Sequence, residues 1–217
     1  GNDVTLTIDS SVSAVALDAL GSRKGVVALY NYETGEMLCS VSSPNFDIRN
    51  KPSSEDIEKN ENGKYDGLYL NRLLDGLYTP GSVFKIITAT CVLENVNDIS
   101  SWEYECEGEM FINGVRVSCP KEHGKLNLQD ALVYSCNCAF AELSKKITPA
   151  QLEQTAQQFG FGRKFSFGNS FTAASILNIK NASPSDLAWC SVGQYTTLSN
   201  PYHMLTIAGA IANNGTA

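Results

Sequence analysis

The stretch that most limits what this chain can become is Thr79-Pro80-Gly81-Ser82 followed by the run from Val83 to Leu93. Proline and glycine suit the entry to a helix rather than its interior. The run beyond them is apolar on every side, with two threonines and one charge, Lys85. That is the pattern of a helix buried in a core. Ser82 and Lys85, three residues apart, then share one face about a turn from each other. Ser82 at the helix N-terminus meets unpaired N–H groups and the positive end of the dipole. Lys85, carried into an apolar helix, loses hydration, and its neutral amine is favoured. An amine beside a hydroxyl is a base beside a nucleophile. Against this stand a chance Ser-x-x-Lys match and a lysine that reaches back to the surface.

Composition narrows the function classes. A chain of 217 residues can hold one large domain or two lobes, and its net charge of −7 argues against a nucleic-acid partner. The acidic residues between Glu94 and Glu109 read as a solvated surface. No run of apolar residues is long enough to span a membrane. Gly1-Asn2-Asp3 reads as the start of a segment cut from a longer protein.

The seven cysteines have no regular spacing and do not form a disulfide framework. Cys106 and Cys119 are the one plausible pair. They flank Phe111-Ile112-Asn113-Gly114-Val115-Arg116-Val117, where Asn-Gly between β-formers signals a hairpin. In that register Cys119 faces Gly108, and Cys106 lies diagonal to it at about 7–8 Å, long for a disulfide unless Gly108 marks a bulge. Cys106, Cys119 and His123 would supply three zinc ligands, but a fourth is lacking, so no metal and no cofactor are expected.

In chain order, Val4–Ile8 alternates as a strand, Ser11–Leu20 reads as a helix stopped by Gly21, and strands at 25–31 and 36–42 flank a turn at Thr34-Gly35. Residues 45–69 form a long polar loop, mobile in part. Asn127 caps a helix that Tyr134–Cys138 interrupts. Thr148-Pro149, Ser183-Pro184 and Pro201 open three more helices. The fold class is α+β, with segregated elements. Residues 1–43 are the N-terminal part of an α/β lobe, 44–80 a connecting loop, and 81–217 a helical lobe carrying the serine.

Several separated stretches together resemble the transpeptidase domain of penicillin-binding proteins, class B above all. They are Leu6–Asp9, Gly25–Leu29 with Thr34–Glu36, Ser42–Asp47, Asn71-Arg72, Leu77–Lys85, His123-Gly124, Ser135–Asn137, Phe159–Gly162, Gly193-Gln194 and Ile211–Gly215. They cover nearly the whole chain in the family's order. The resemblance implies a β-lactamase/transpeptidase-like fold with a small antiparallel sheet. It implies Ser82 as acylated nucleophile, Lys85 as base, Ser135 as the hydroxyl that relays a proton to the leaving amine, and Asn137 as the amide that orders Lys85 and binds substrate. Taken alone, Ser135-x-Asn137 is weak, since Ser43-x-Asn45 has the same spacing in a loop.

By the same resemblance the activity is that of a serine D,D-transpeptidase or carboxypeptidase, cross-linking peptidoglycan stem peptides ending in D-Ala-D-Ala and acylated by β-lactams. A membrane peptidoglycan glycosyltransferase is the implied protein partner, at the extracytoplasmic face of the bacterial cell membrane. The alternatives are a serine β-lactamase, for which no glutamate is well placed to activate deacylating water, and a non-catalytic β-lactam sensor. The family's third motif, Lys-Thr-Gly on an inner strand, does not occur in these residues. The expectation is a domain lacking its C-terminal strands, with an incomplete sheet.

Overall fold

A computed structural model describes residues 3–216. In chain order the elements are α1 (Ser10–Leu20), β1 (Gly25–Tyr30), β2 (Met37–Ser43), α2 (Ser54–Lys59), α3 (Lys85–Asn95), β3 (Tyr104–Cys106), β4 (Glu109–Ile112) and β5 (Val115–Ser118). They continue with β6 (Gly124–Leu126), α4 (Leu128–Val133), α5 (Asn137–Ser144), α6 (Pro149–Gln158), β7 (Ser166–Phe167), β8 (Ser170–Phe171), α7 (Pro184–Ser191) and α8 (Pro201–Ala212). The fold is α+β, and every sheet among the described residues is a two-stranded antiparallel pair. Contacts group the chain into two compact units. The first is Gly1–Leu77, Lys164–Ala173 and Asn200–Ala217; the second is Tyr78–Arg163 and Ala174–Ser199.

In the first unit β1 and β2 pair from Gly25↔Ser43 to Leu29↔Cys39. α1 packs on β2, its first turn capped by the Asp9 carboxylate, which accepts from the Ser11 and Val12 N–H groups at 2.8 and 3.0 Å. The strand expected at Val4–Ile8 does not form. Among the described residues the segment is tied to the start of β2 by Thr7 Oγ1 donating to the Met37 carbonyl and by the neighbouring Asp9 N–H donating to the Leu38 carbonyl, too few bonds for a ladder. Val4 and Leu6 are left exposed. Residues 45–69 hold more structure than a connecting loop. α2 carries a reciprocal capping box between Ser53 and Asp56. The buried Arg72 guanidinium donates to the Asp66 and Gly67 carbonyls, both at 2.9 Å, and pins the end of the stretch.

The unit's core joins Met37, Leu73 and Leu74 to Val26, Ala28, Tyr30, Phe167, Tyr202 and Leu205. By contacts, 164–173 and 200–217 group with this unit, although they lie within the 81–217 stretch read from the sequence as a helical lobe. The cause is local chemistry at Asn200. Its side-chain oxygen caps α8 at the His203 N–H, and its amide donates to the carbonyls of Leu73, Leu74 and Gly76 at 3.1, 2.8 and 3.0 Å. Asn200→Ala is therefore expected to lose a cap and to take from the buried Gly76 carbonyl the donor it has here, while Leu73 and Leu74 keep the Tyr202 and Ala173 N–H groups, about 2–4 kcal/mol by urea unfolding. A loss below about 1 kcal/mol would mean that water replaces the amide.

In the second unit α3 is the central helix. Ile87, Thr88, Ala89, Cys91 and Val92 are buried, and Phe84 just before it meets Phe161 edge-on with ring centres 5.6 Å apart. The run from Val83 to Leu93 is not buried all round as its composition suggested: Val83, in the turn before α3, and Leu93, within it, are 50% and 60% exposed. The Asn113-Gly114 turn forms between β4 and β5, with φ of 49° and 78°, the left-handed pair that closes a tight hairpin. The Cys119 N–H donates to the Gly108 carbonyl at 2.8 Å, in the register read from the sequence. β3 pairs with β6, and α4 and α5 follow, broken at Tyr134–Cys136.

Candidate active site

Ser82 lies in a 3₁₀ turn, Gly81–Phe84, that leads into α3, so the entry is wound more tightly than the expected α-helix. Three residues per turn place i and i+3 almost over one another. The Lys85 N–H donates to the Ser82 carbonyl, and Lys85 Nζ comes to 3.3 Å from Ser82 Oγ. The serine is exposed and the lysine wholly buried, so a solvent-facing hydroxyl rests on a desolvated amine.

The break between α4 and α5 completes the group. Ser135 takes a left-handed φ of 53°, a conformation that costs an ordinary residue about 1–2 kcal/mol. This turns both its carbonyl and its hydroxyl onto Lys85 Nζ, at 2.6 and 3.0 Å. Asn137, the first residue of α5, meets Nζ with Oδ1 at 2.7 Å. Its Nδ2 donates to the Ser118 carbonyl at 3.0 Å, which fixes the way the amide faces. The four residues singled out in the sequence, Ser82, Lys85, Ser135 and Asn137, thus converge on one amine.

The hydrogen bonds have a directional logic. The Ser135 carbonyl and Asn137 Oδ1 can only accept, so they occupy the two N–H bonds of a neutral Lys85. The remaining lone pair is left for the hydroxyls of Ser82 and Ser135, either of which can donate. Burial pushes the Lys85 pKa down from 10.5 to about 8, while the neighbouring thiols of Cys119, Cys136 and Cys138, when ionised, pull it back up. The arrangement can accept a proton from one hydroxyl and pass one through the other.

Beneath this group lie thiols that the sequence reading did not connect to it. Cys106 and Cys119 are not bonded: their sulfurs stand 3.9 Å apart. Cys136, inside the Ser-Cys-Asn-Cys stretch, puts its sulfur 3.6 Å from that of Cys119. Cys138 places its own at 3.5 Å. Burial works to raise the Cys106 pKa, but hydrogen bonds from Gly108 and His123 bring it down to about 7. Burial drives Cys136 and Cys138 upward. The available signal was the interleaving of Cys136 and Cys138 with Ser135 and Asn137.

Comparison with known proteins gives a consistent picture. Residues 25–217 match the family profile of the penicillin binding protein transpeptidase domain. Stage V sporulation protein D of Bacillus subtilis is 27% identical over 100% of this chain and 34% of its own length. Peptidoglycan D,D-transpeptidase MrdA of Acinetobacter baumannii is 28% identical over 76% of this chain and 25% of its own. The chain thus spans between a quarter and about a third of these relatives. The solved D,D-transpeptidase domain of a peptidoglycan glycosyltransferase from Eggerthella lenta superposes with a TM-score of 0.82 at 29% identity, covering 99% of this chain and 55% of that one. With the profile spanning most of its residues and the fold superposing along nearly all of its length, the chain belongs to the penicillin-binding protein transpeptidase domain family.

Proposed function

We propose that the protein carrying this chain is a peptidoglycan D,D-transpeptidase acting through an acyl-enzyme on Ser82. The observation that carries the reading is the buried Lys85 amine, held by two obligate acceptors and open only toward the hydroxyls of Ser82 and Ser135. Relatives named as D,D-transpeptidases support the reaction class.

In the first half-reaction Lys85 Nζ takes the Ser82 proton as Oγ bonds to the carbonyl carbon of the penultimate D-alanine. The peptide C–N bond breaks, and the terminal D-alanine leaves as an amine that takes a proton through Ser135 Oγ. An acceptor amine from a neighbouring stem peptide then attacks the ester carbon, the C–Oγ bond breaks, and Ser82 regains its proton. Water in place of the amine gives carboxypeptidase activity. Asn137 orients Lys85 and offers its amide edge to the substrate backbone. A β-lactam enters the first half-reaction, but its opened ring stays tethered and blocks the second. The substrates place the reaction on the extracytoplasmic side of a bacterial membrane, where a membrane peptidoglycan glycosyltransferase would supply the strands.

A stable adduct separates this reading from a β-lactamase. Full-length protein incubated with a fluorescent penicillin and digested is expected to carry the label on the peptide containing Ser82, and to retain it long after free drug is removed. Label on another residue, or rapid release of hydrolysed drug, would overturn the proposal.

A further inference from the structure

We propose that Phe140 is a positioning residue of the base, its ring face stabilising the ammonium that Lys85 becomes on taking the Ser82 proton. The inference rests on the reading of Lys85 as that base. The transfer breaks the O–H bond of Ser82, forms an N–H bond on Lys85 Nζ and leaves a positive charge on a wholly buried side chain. A charge held out of water needs a partner. Among the described residues no carboxylate pairs with Lys85. The Ser135 carbonyl and Asn137 Oδ1 are neutral dipoles, and they accept from the amine before the transfer as well as after it. Phe140 is different. Its side chain is wholly buried, and Nζ stands over the ring, 5.6 Å from its centre. That is within the reach of a cation–π contact, about 6 Å, and a desolvated pair is the strong kind. The ring quadrupole attracts charge, offers little to an uncharged amine and uses none of its N–H bonds.

The sequence places the ring. Asn137 and Phe140 lie three residues apart at the start of α5, so they share a face. That face brings both the Asn137 oxygen and the ring to Lys85. The ionisable groups acting on the amine are the thiols of Cys119, after β5, Cys136, in the α4–α5 break, and Cys138, in α5. Burial holds Cys136 and Cys138 protonated well above their ordinary range. The other elements packed on α3, which are α4, α6 and the 3₁₀ turn, present the amine with none among the described residues. The ring therefore favours the protonated base where burial disfavours it. Without it Lys85 would release its proton at lower pH and be a weaker base.

The test uses full-length protein in which Phe140 is replaced by phenylalanine bearing one, two or three ring fluorines. Fluorine nearly preserves the size of the ring but drains negative charge from its face. Acylation needs the neutral amine, so its rate inflects where Lys85 loses its proton, at about 8. The rate with a fluorescent penicillin is followed across that pH, and the fold is checked by circular dichroism. The inflection is expected to move down stepwise with fluorine number, by about one pH unit in all, equivalent to about 1.4 kcal/mol. The plateau above it should fall in the same order, as a weaker base predicts. A packing role alone would slow acylation without moving the inflection. Phe140→Leu, apolar but without a π face, gives a second route to the same readout, and its inflection should also fall. An inflection that stays in place in Phe140→Leu, or across the fluorinated series, would overturn the role of the ring. Lys85→Met with Phe140 intact separates this from the parent reading. An inflection that survives in Lys85→Met shows that Lys85 is not the base, and the proposal falls with that reading.

Discussion

Substituting Lys85 by methionine is expected to slow acylation by a β-lactam by about 10²–10⁴-fold, the usual worth of a positioned base. Methionine keeps the length and apolar bulk of the side chain inside α3 but removes the amine that stands 3.3 Å from Ser82 Oγ. The fold should persist. The lost amine leaves the Ser135 carbonyl and Asn137 Oδ1 without their shared donor, about 1–3 kcal/mol. It also removes the cost of carrying an amine out of water, which works in the opposite direction. Penicillin acylation followed against time, with Ser82→Ala as the variant that takes no label at all, measures the base alone. A drop of less than tenfold would mean that another group deprotonates Ser82.

The pH dependence follows from the same burial. The Lys85 pKa is lowered from 10.5 to about 8, so at pH 7 about a tenth of the molecules carry the neutral amine. Acylation should rise with pH through about 8 and then level off, and Lys85→Met should lose that inflection. The stability consequence has a definite sign. Between about pH 8 and 10.5 the unfolded chain binds a proton on Lys85 that the folded chain does not, so this residue's contribution improves as pH rises across that window. Below about pH 8 the burial cost is carried in full, on the order of 3 kcal/mol. The thiols of Cys119, Cys136 and Cys138 face the same amine, and their ionisation would shift the inflection upward.

Much of this site was legible because its parts are written in local chemistry. Thr79-Pro80-Gly81 could only enter a helix, and Ser-x-x-Lys then had to share a face. Asn127, Thr148, Ser183 and Pro201 marked helix starts because caps and first-turn prolines are satisfied within a few residues. Asn113-Gly114 set the register of β4 and β5 for the same reason. What escaped the sequence depends on distant partners. Val4–Ile8 alternates like a strand but finds only a few bonds along β2. α8 joins the first unit through Asn200 and carbonyls more than a hundred residues earlier. Cys136 looked like one more cysteine until the hairpin and the α4–α5 break brought its sulfur to 3.6 Å from that of Cys119. Periodicity shows which face a residue takes, but not which remote group waits there.

Gly193→Ala is the second substitution with a large expected effect, and it acts on the nucleophile without touching it. The Gly81 N–H donates to the Gly193 carbonyl at 2.9 Å, which holds the residue before Ser82 against the end of α7. A Cβ on Gly193 would overlap the Gly81 carbonyl oxygen outright, and would stand 2.7 Å from its carbon and 2.9 Å from Phe84 Cβ. The backbone there also has a φ of 77°, which disfavours any side chain. Overpacking of about 1–3 kcal/mol and left-handed strain of about 1–2 kcal/mol together predict a stability loss of about 2–5 kcal/mol. Gly114→Ala supplies the control within the same unit: its φ is 78°, but nothing lies within 4 Å of the added Cβ, so only the strain remains. The difference between the two variants in urea unfolding therefore isolates the clash. Because the clash is relieved by moving Gly81, Gly193→Ala should also slow penicillin acylation at least tenfold, while Gly114→Ala leaves it unchanged. Equal stability losses, or normal acylation by Gly193→Ala, would show that the turn before Ser82 can give way without disturbing the serine.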